Sequence, residues 1–191
     1  MKTVMDARSP ELERELGLPL DRATLDHLFS VTYEELRRLA SSVRRGDPSA
    51  TLTPTALVNE AWLKLAGSPG LAAASRTHFK RIAARAMRQV LIEAARRRGA
   101  GKRGGREAAL VTFDESLHAP ARTADELLAL DAALDALARV SPRQALMVES
   151  RFFGGLDIDE TAELLGVSEA TVNRDWRAAR AWLAHELRQA T

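Results

Sequence analysis

The sequence predicts an all-α protein: two small helical domains joined by a linker. Three observations carry that reading. Ala, Leu, Arg and Glu dominate the 191 residues and aromatics make up only 5%, a mix that favours helices over strands. Apolar residues recur at helical spacing in blocks divided by Gly and Pro breaks. Charge is split along the chain. Residues 1–106 hold 20 Lys+Arg against 11 Asp+Glu, and residues 107–191 hold 8 against 15. The net charge of +2 therefore conceals a basic half and an acidic half, and nucleic acid is the natural partner of the basic one.

Several function classes are excluded early. There are no cysteines, hence no disulfides and no thiolate metal site. His27, His78, His118 and His185 show no metal-ligand spacing, so neither metal nor other cofactor is expected. No serine has a paired His and Asp nearby, and the expectation is that the chain is not an enzyme. The segment 99–103 is phosphate-loop-like in composition but lacks the required Gly and the Ser or Thr after Lys102. No apolar run approaches the ~18 residues of a membrane span, and the first residues contain no signal-peptide core. A cytoplasmic protein without membrane insertion is expected.

The first helix is expected over Thr24–Arg44, with Leu25, Leu28, Phe29, Leu36, Leu39 and Val43 at helical spacing. Gly46, Asp47 and Pro48 break it. Thr53 and Pro54 form an N-cap and first helical position for a second helix lined by Leu57, Ala61 and Leu65. A long third helix is expected over Thr77–Arg98, its buried stripe being Phe79, Ile82, Ala83, Ala86, Val90 and Ala94. Arg81, Arg85, Arg88 and Arg96 fall on another face. Such a face can bind phosphates and would make binding salt-sensitive; the alternative is an ordinary solvated helix. From Arg76 to Arg106 there are eleven basic residues and one acid, Glu93. Residues 107–123 lack helical period and read as a linker. Leu127, Leu130, Leu134 and Leu137 then form a seam, and Ser141-Pro142 reads as the cap of a helix carrying Leu146, Val148, Phe152 and Phe153, stopped by Gly154-Gly155.

The most specific motif is LDIDETAELLGVSEATVNRDWRAARAWL, residues 156–183. Asp157 and Glu160 form a capping-box pattern. Ile158, Ala162 and Leu165 face inward, Gly166 makes the turn, Val167 plugs the core and Ser168 caps the next helix. Val172, Trp176, Ala179 and Leu183 continue the buried stripe. Glu169, Ala170, Asn173, Arg174 and Arg177 are left on the outer face near the helix N-terminus, where a recognition helix meets the major groove. Arg pairs bidentately with guanine and Asn with adenine. The competing reading is a plain helical hairpin with solvated polar residues; Trp62 and Trp182 read as core or interface residues.

With these motifs in order, the chain resembles an extracytoplasmic-function (ECF) sigma factor of the sigma-70 family over roughly residues 24–188. TALVNEAWLKLA at 55–66 is similar to region 2.2, which docks on the RNA polymerase clamp. RTHFKRIAARAMRQVLIEAARRRGAGKRGG at 76–105 is similar to regions 2.3 and 2.4, which melt and read the -10 element. Residues 141–183 resemble region 4, which reads the -35 element. The resemblance implies an N-terminal extension (1–23), region 2 (24–106), a linker (107–123) and region 4 (124–191). It implies promoter-directed initiation, with core polymerase (clamp and flap) and promoter DNA as partners. Core-binding residues would be Leu57, Val58, Asn59, Glu60 and Trp62. The -10 contacts would come from Arg76, His78, Arg81, Arg85, Arg88 and Arg96, and the loop 67–77 would hold a flipped base. The -35 contacts would come from Ser168, Glu169, Thr171, Asn173, Arg174 and Arg177. The alternative function is a free-standing helix-turn-helix regulator, which would bind duplex DNA as a dimer without polymerase.

Two departures from the family pattern matter. His78 stands where the family commonly has Trp, so melting is expected to lean more on arginines than on a large stacking ring. Thr53-Pro54-Thr55-Ala56, with Thr51 upstream, stands where an acidic stretch usually begins region 2.2. Phosphorylation of Thr51, Thr53 or Thr55 would restore about −1.5 to −2 charge at a helix N-terminus. The pattern thus resembles the subgroup linked to Ser/Thr protein kinases, with Thr51 favoured because Arg44 and Arg45 lie nearby in sequence. The other reading is that the threonines simply start a helix. An anti-sigma factor is a further conceivable partner.

Overall fold

The computed structural model describes residues 22–44, 52–67, 75–101 and 123–189. Seven helices and no strand occur among them: α1 (Arg22–Arg44), α2 (Pro54–Ala66), α3 (Arg76–Gly101), α4 (Ala124–Val140), α5 (Pro142–Gly154), α6 (Ile158–Leu165) and α7 (Glu169–Gln189). The all-helical expectation holds.

Local chemistry explains most of the boundaries. Thr53 Oγ1 accepts from the Ala56 amide at 3.1 Å, with Pro54 at the first position of α2. Ser75 Oγ accepts from the His78 amide at 3.2 Å and starts α3. Thr123 and Glu126 close a reciprocal capping box on α4, and Asp157 and Glu160 close another on α6. Gly155 and Gly166 end α5 and α6 with φ of 65° and 61°, a region in which a side chain on Cβ is penalised. Ser141 differs from expectation. It makes no side-chain cap, because it also ends α4, where its amide donates to Leu137 O at 2.7 Å. One residue serves two helix ends, and its non-helical backbone (φ −147°, ψ 85°) turns the chain.

Two cores form. Leu25, Leu36, Leu39 and Ala40 of α1 meet Leu57, Val58, Ala61 and Leu65 of α2 and Phe79, Ala83, Ala86, Met87 and Val90 of α3. Leu130, Leu134 and Leu137 of α4 meet Met147, Val148, Phe152 and Phe153 of α5 and Val172, Trp176, Ala179 and Leu183 of α7. Ile158, Ala162 and Leu165 of α6 are only half-buried against this second core, and Thr161 is the buried residue of that helix. Its hydroxyl reaches Asp157 O, so no donor is stranded.

The α3 helix is buried more widely than its expected stripe. Ile82 is half-buried, while Ala84, Ile92 and Ala95 are buried as well. The reason is that α3 packs on both sides. Ala84 belongs to the second core, and Ile92 and Ala95 pack with Leu127 of α4. The two helices come close at Gly154, the last residue of α5. A Cβ there would lie 2.9 Å from Ala84 Cβ and 3.1 Å from Lys80 O. Small residues on both helices therefore set the spacing between the basic and acidic halves.

Candidate nucleic-acid interface

The outer face of α7 is open. Glu169, Asn173, Arg174 and Arg177 are exposed, Thr171 is half-buried, and Val172, Asp175 and Trp176 lie on the opposite, buried side. Ser168 caps the helix, its Oγ accepting from the Thr171 amide at 3.3 Å. That role ties Ser168 and Thr171 to the helix start as well as to the surface. Asp175 is held from behind by Arg143 at 2.6 Å, which fixes the rotation of α7 against α5. Arg151 adds to the same support. Its guanidinium lies 4.5 Å from the Trp176 ring centroid, and burial pushes its pKa below the ordinary range, partly offset by Asp157.

The basic helix α3 is less open. Arg85 is exposed; Arg76 is exposed and ion-paired to Glu35; His78 and Arg81 are half-buried. Arg88 lies under the second half of the chain, its side chain 15% exposed. It meets Asp131 at 2.7 Å, Asp135 at 2.6 Å and Glu149 at 2.7 Å, and also donates to Asp131 O at 3.1 Å. Burial works against its charge, but the hydrogen bonds and charge of Glu149, with Asp135 and Asp131, outweigh it and hold the guanidinium above its ordinary pKa range. Arg96 reaches Asp131 at 3.4 Å. The four arginines expected to share one open face are thus divided: Arg85 faces out, and Arg88 and Arg96 are engaged by α4 and α5.

Lys80 was not expected to matter. It is buried, and its Nζ lies 2.7 Å from Glu160 and 3.5 Å from Glu35. Glu160 therefore caps α6 and anchors it to α3. Nearby, Thr77 Oγ1 donates to Glu163 at 3.2 Å. Sequence spacing alone gives no signal for these pairs, because the partners are some eighty residues apart.

On α2, Leu57 and Val58 sit in the first core at 2% and 1% exposure. They cannot touch a partner from there; they hold the helix. Asn59 is exposed and Glu60 half-buried. Trp62 stacks on Phe29 with centroids 4.4 Å apart and carries Arg22 over its ring. Leu63, 68% exposed, adds an apolar side chain to this surface that was not singled out beforehand. Thr53 is occupied as the cap of α2, and Thr55 is exposed in its first turn. Thr51, residues 68–74 of the expected base-holding loop and the basic tail beyond 101 lie outside the described residues.

A sequence profile described as ECF sigma factor matches residues 20–189. The chain belongs to the ECF sigma factor family. As a sigma factor it works with core RNA polymerase and promoter DNA in transcription initiation, and the family is not enzymatic. Searches of curated proteins and of solved structures found no significant match. Among the described residues, no helix of this sigma factor is long and apolar enough to cross a membrane, and no group of His, Cys, Asp and Glu could hold a metal ion.

Proposed function

We propose that this sigma factor divides promoter recognition between its halves, residues 24–106 acting as region 2 and residues 124–191 as region 4, with 107–123 as the linker. The observation that carries the reading is the exposed set Asn173, Arg174 and Arg177 on a capped, rigidly backed α7. With Ser168, Glu169 and Thr171 it forms the -35 reader. Arg76, His78, Arg81, Arg85, Arg88 and Arg96 handle the -10 DNA, with Arg85 exposed to a phosphate. The clamp surface is Asn59, Glu60, Trp62 and the exposed Leu63, while Leu57 and Val58 keep α2 in place.

Phosphorylation within Thr51–Thr55 activates the factor. What supports this is the start of α2, which carries no acid in its first turn and leaves Thr55 exposed. A phosphate there suits the positive end of the helix and supplies the charge that a basic clamp surface needs. Thr53 is the weaker acceptor site, because its hydroxyl caps the helix. Run-off transcription with core polymerase tests the whole reading. Glu at Thr51 or Thr55 is expected to raise transcript yield over the unmodified protein, and Ala at Asn173, Arg174 and Arg177 together to abolish -35 dependence. If Ala at all three threonines leaves activity in cells unchanged, the phosphorylation switch is wrong.

A further inference from the structure

Glu169, Asn173 and Arg177, spaced four residues apart, form one exposed ridge along α7. Arg177 Nε donates to the Asn173 carbonyl oxygen at 3.3 Å, so its guanidinium lies back along that ridge. The ridge runs from a group that only accepts hydrogen bonds, through an amide, to a group that only donates. Glu169 stands first, at the helix end that reaches base edges when such a helix enters the major groove. Ala170 beside it is exposed and too short to shield the carboxylate. Asp157, Glu160, Glu163 and Asp175 of the same helix pair are taken up by the fold, through the α6 capping box, Lys80, Thr77 and Arg143. Among the described residues, no hydrogen bond or ion pair takes up the Glu169 carboxylate.

We propose that Glu169 sets base specificity in the -35 element by accepting a hydrogen bond from the N4 amino group of a cytosine. The inference rests on α7 being the -35 reader. In the major groove cytosine offers a donor with no acceptor beside it. Adenine sets its N7 acceptor next to its N6 donor, guanine offers two acceptors, and thymine offers one acceptor and a methyl group. A carboxylate is therefore matched by cytosine and opposed by an acceptor on each of the other bases. The phosphates flanking the groove repel it as well, so the contact adds little affinity and works chiefly by rejecting other sequences. Asn173 and Arg177 continue the ridge with side chains suited to adenine and guanine. A carboxylate in the first turn also suits the positive end of the helix. A residue with that role alone would change stability and leave base preference untouched.

A barcoded promoter library randomised over the -35 and -10 elements, carried in the parent bacterium with its own gene for this factor deleted, gives base preferences as transcript per template. With the natural chain supplied, a -35 position is expected to favour cytosine on the contacted strand by on the order of tenfold over the other bases. Glu169→Ala should flatten that position, and should do so by raising transcript from promoters that carry the other bases. Glu169→Gln should move the preference to adenine, which a Gln side chain meets bidentately. The melting temperature and cellular level of each variant are measured alongside. A uniform fall in transcript with the cytosine preference intact overturns the Glu169 assignment and leaves α7 as the -35 reader. So does a set of -35 preferences that contains no cytosine. A natural chain indifferent to every -35 base overturns the reading of α7 itself, and the cytosine contact with it.

Discussion

Replacing Gly154 by Ala tests the spacing between α3 and α5 directly. The new Cβ would sit 2.9 Å from Ala84 Cβ, 3.1 Å from Lys80 O and 3.1 Å from Leu156 Cδ1. Carbon atoms in contact prefer about 3.5–4.0 Å. Two of the three obstacles, a backbone carbonyl and a methyl fixed on a helix, cannot swing aside. The helices must part by roughly 0.6 Å or more, and gaps of 0.5–1 Å forfeit a quarter to a half of the dispersion well for each contact affected. Overpacking of this kind costs about 1–3 kcal/mol. Better helix propensity of Ala over Gly returns about 0.5–1 kcal/mol. The expected net loss is about 1–2 kcal/mol, read as a Tm lower by roughly 2–8 °C for a chain of this size. Circular dichroism melts at matched concentration measure it. Gly166→Ala is the comparison, because nothing lies within 4 Å of its added Cβ while its φ is 61°. That variant loses about 1–2 kcal/mol through backbone strain alone and leaves the halves in contact. A Gly154→Ala protein that melts at or above the natural chain would refute the close α3–α5 approach.

Other outcomes follow from the same geometry. Arg88→Met strands three carboxylates, two of them about 14% exposed, and is expected to cost about 3 kcal/mol in urea unfolding, the lower end of the range for a broken buried pair. Asp157→Ala removes the α6 capping box and should lower stability by about 1 kcal/mol; a change under a few tenths would show that the cap is dispensable. The Lys64 hydrogen bond holds the Glu93 carboxyl below its ordinary pKa, against the opposing effect of burial. A depressed carboxyl stabilises the fold above the ordinary value of about 4.3 and stops doing so as pH falls through the lowered one. Urea midpoints for Glu93→Gln and the natural chain should therefore differ most near neutrality and converge in acid. Arg174→Ala and Arg177→Ala remove exposed groups, so promoter-directed transcript is expected to drop while the melting temperature stays within about 1 °C.

The sequence by itself determined the helices, their caps and the helix-turn-helix. Those features depend on residues three or four apart, as in Thr53 to Ala56, Asp157 to Glu160 and the Leu127–Leu137 seam, and short-range chemistry is visible in linear order. Even the failures there were local: Ser141 carries a cap residue but must also end the previous helix. The exposed face of α7 was legible for the same reason, since about half a helical period separates its outside from its core side. Only the tertiary structure decided what became of the basic helix. Arg88 and Lys80 look like solvated cations in sequence, yet each meets carboxylates brought from some forty to eighty residues away. Leu57 and Val58 look as available as Asn59 until α1 and α3 close over them. A charge pattern shows that two halves can attract, but the distance between Gly154 and Ala84 is what sets how closely they meet.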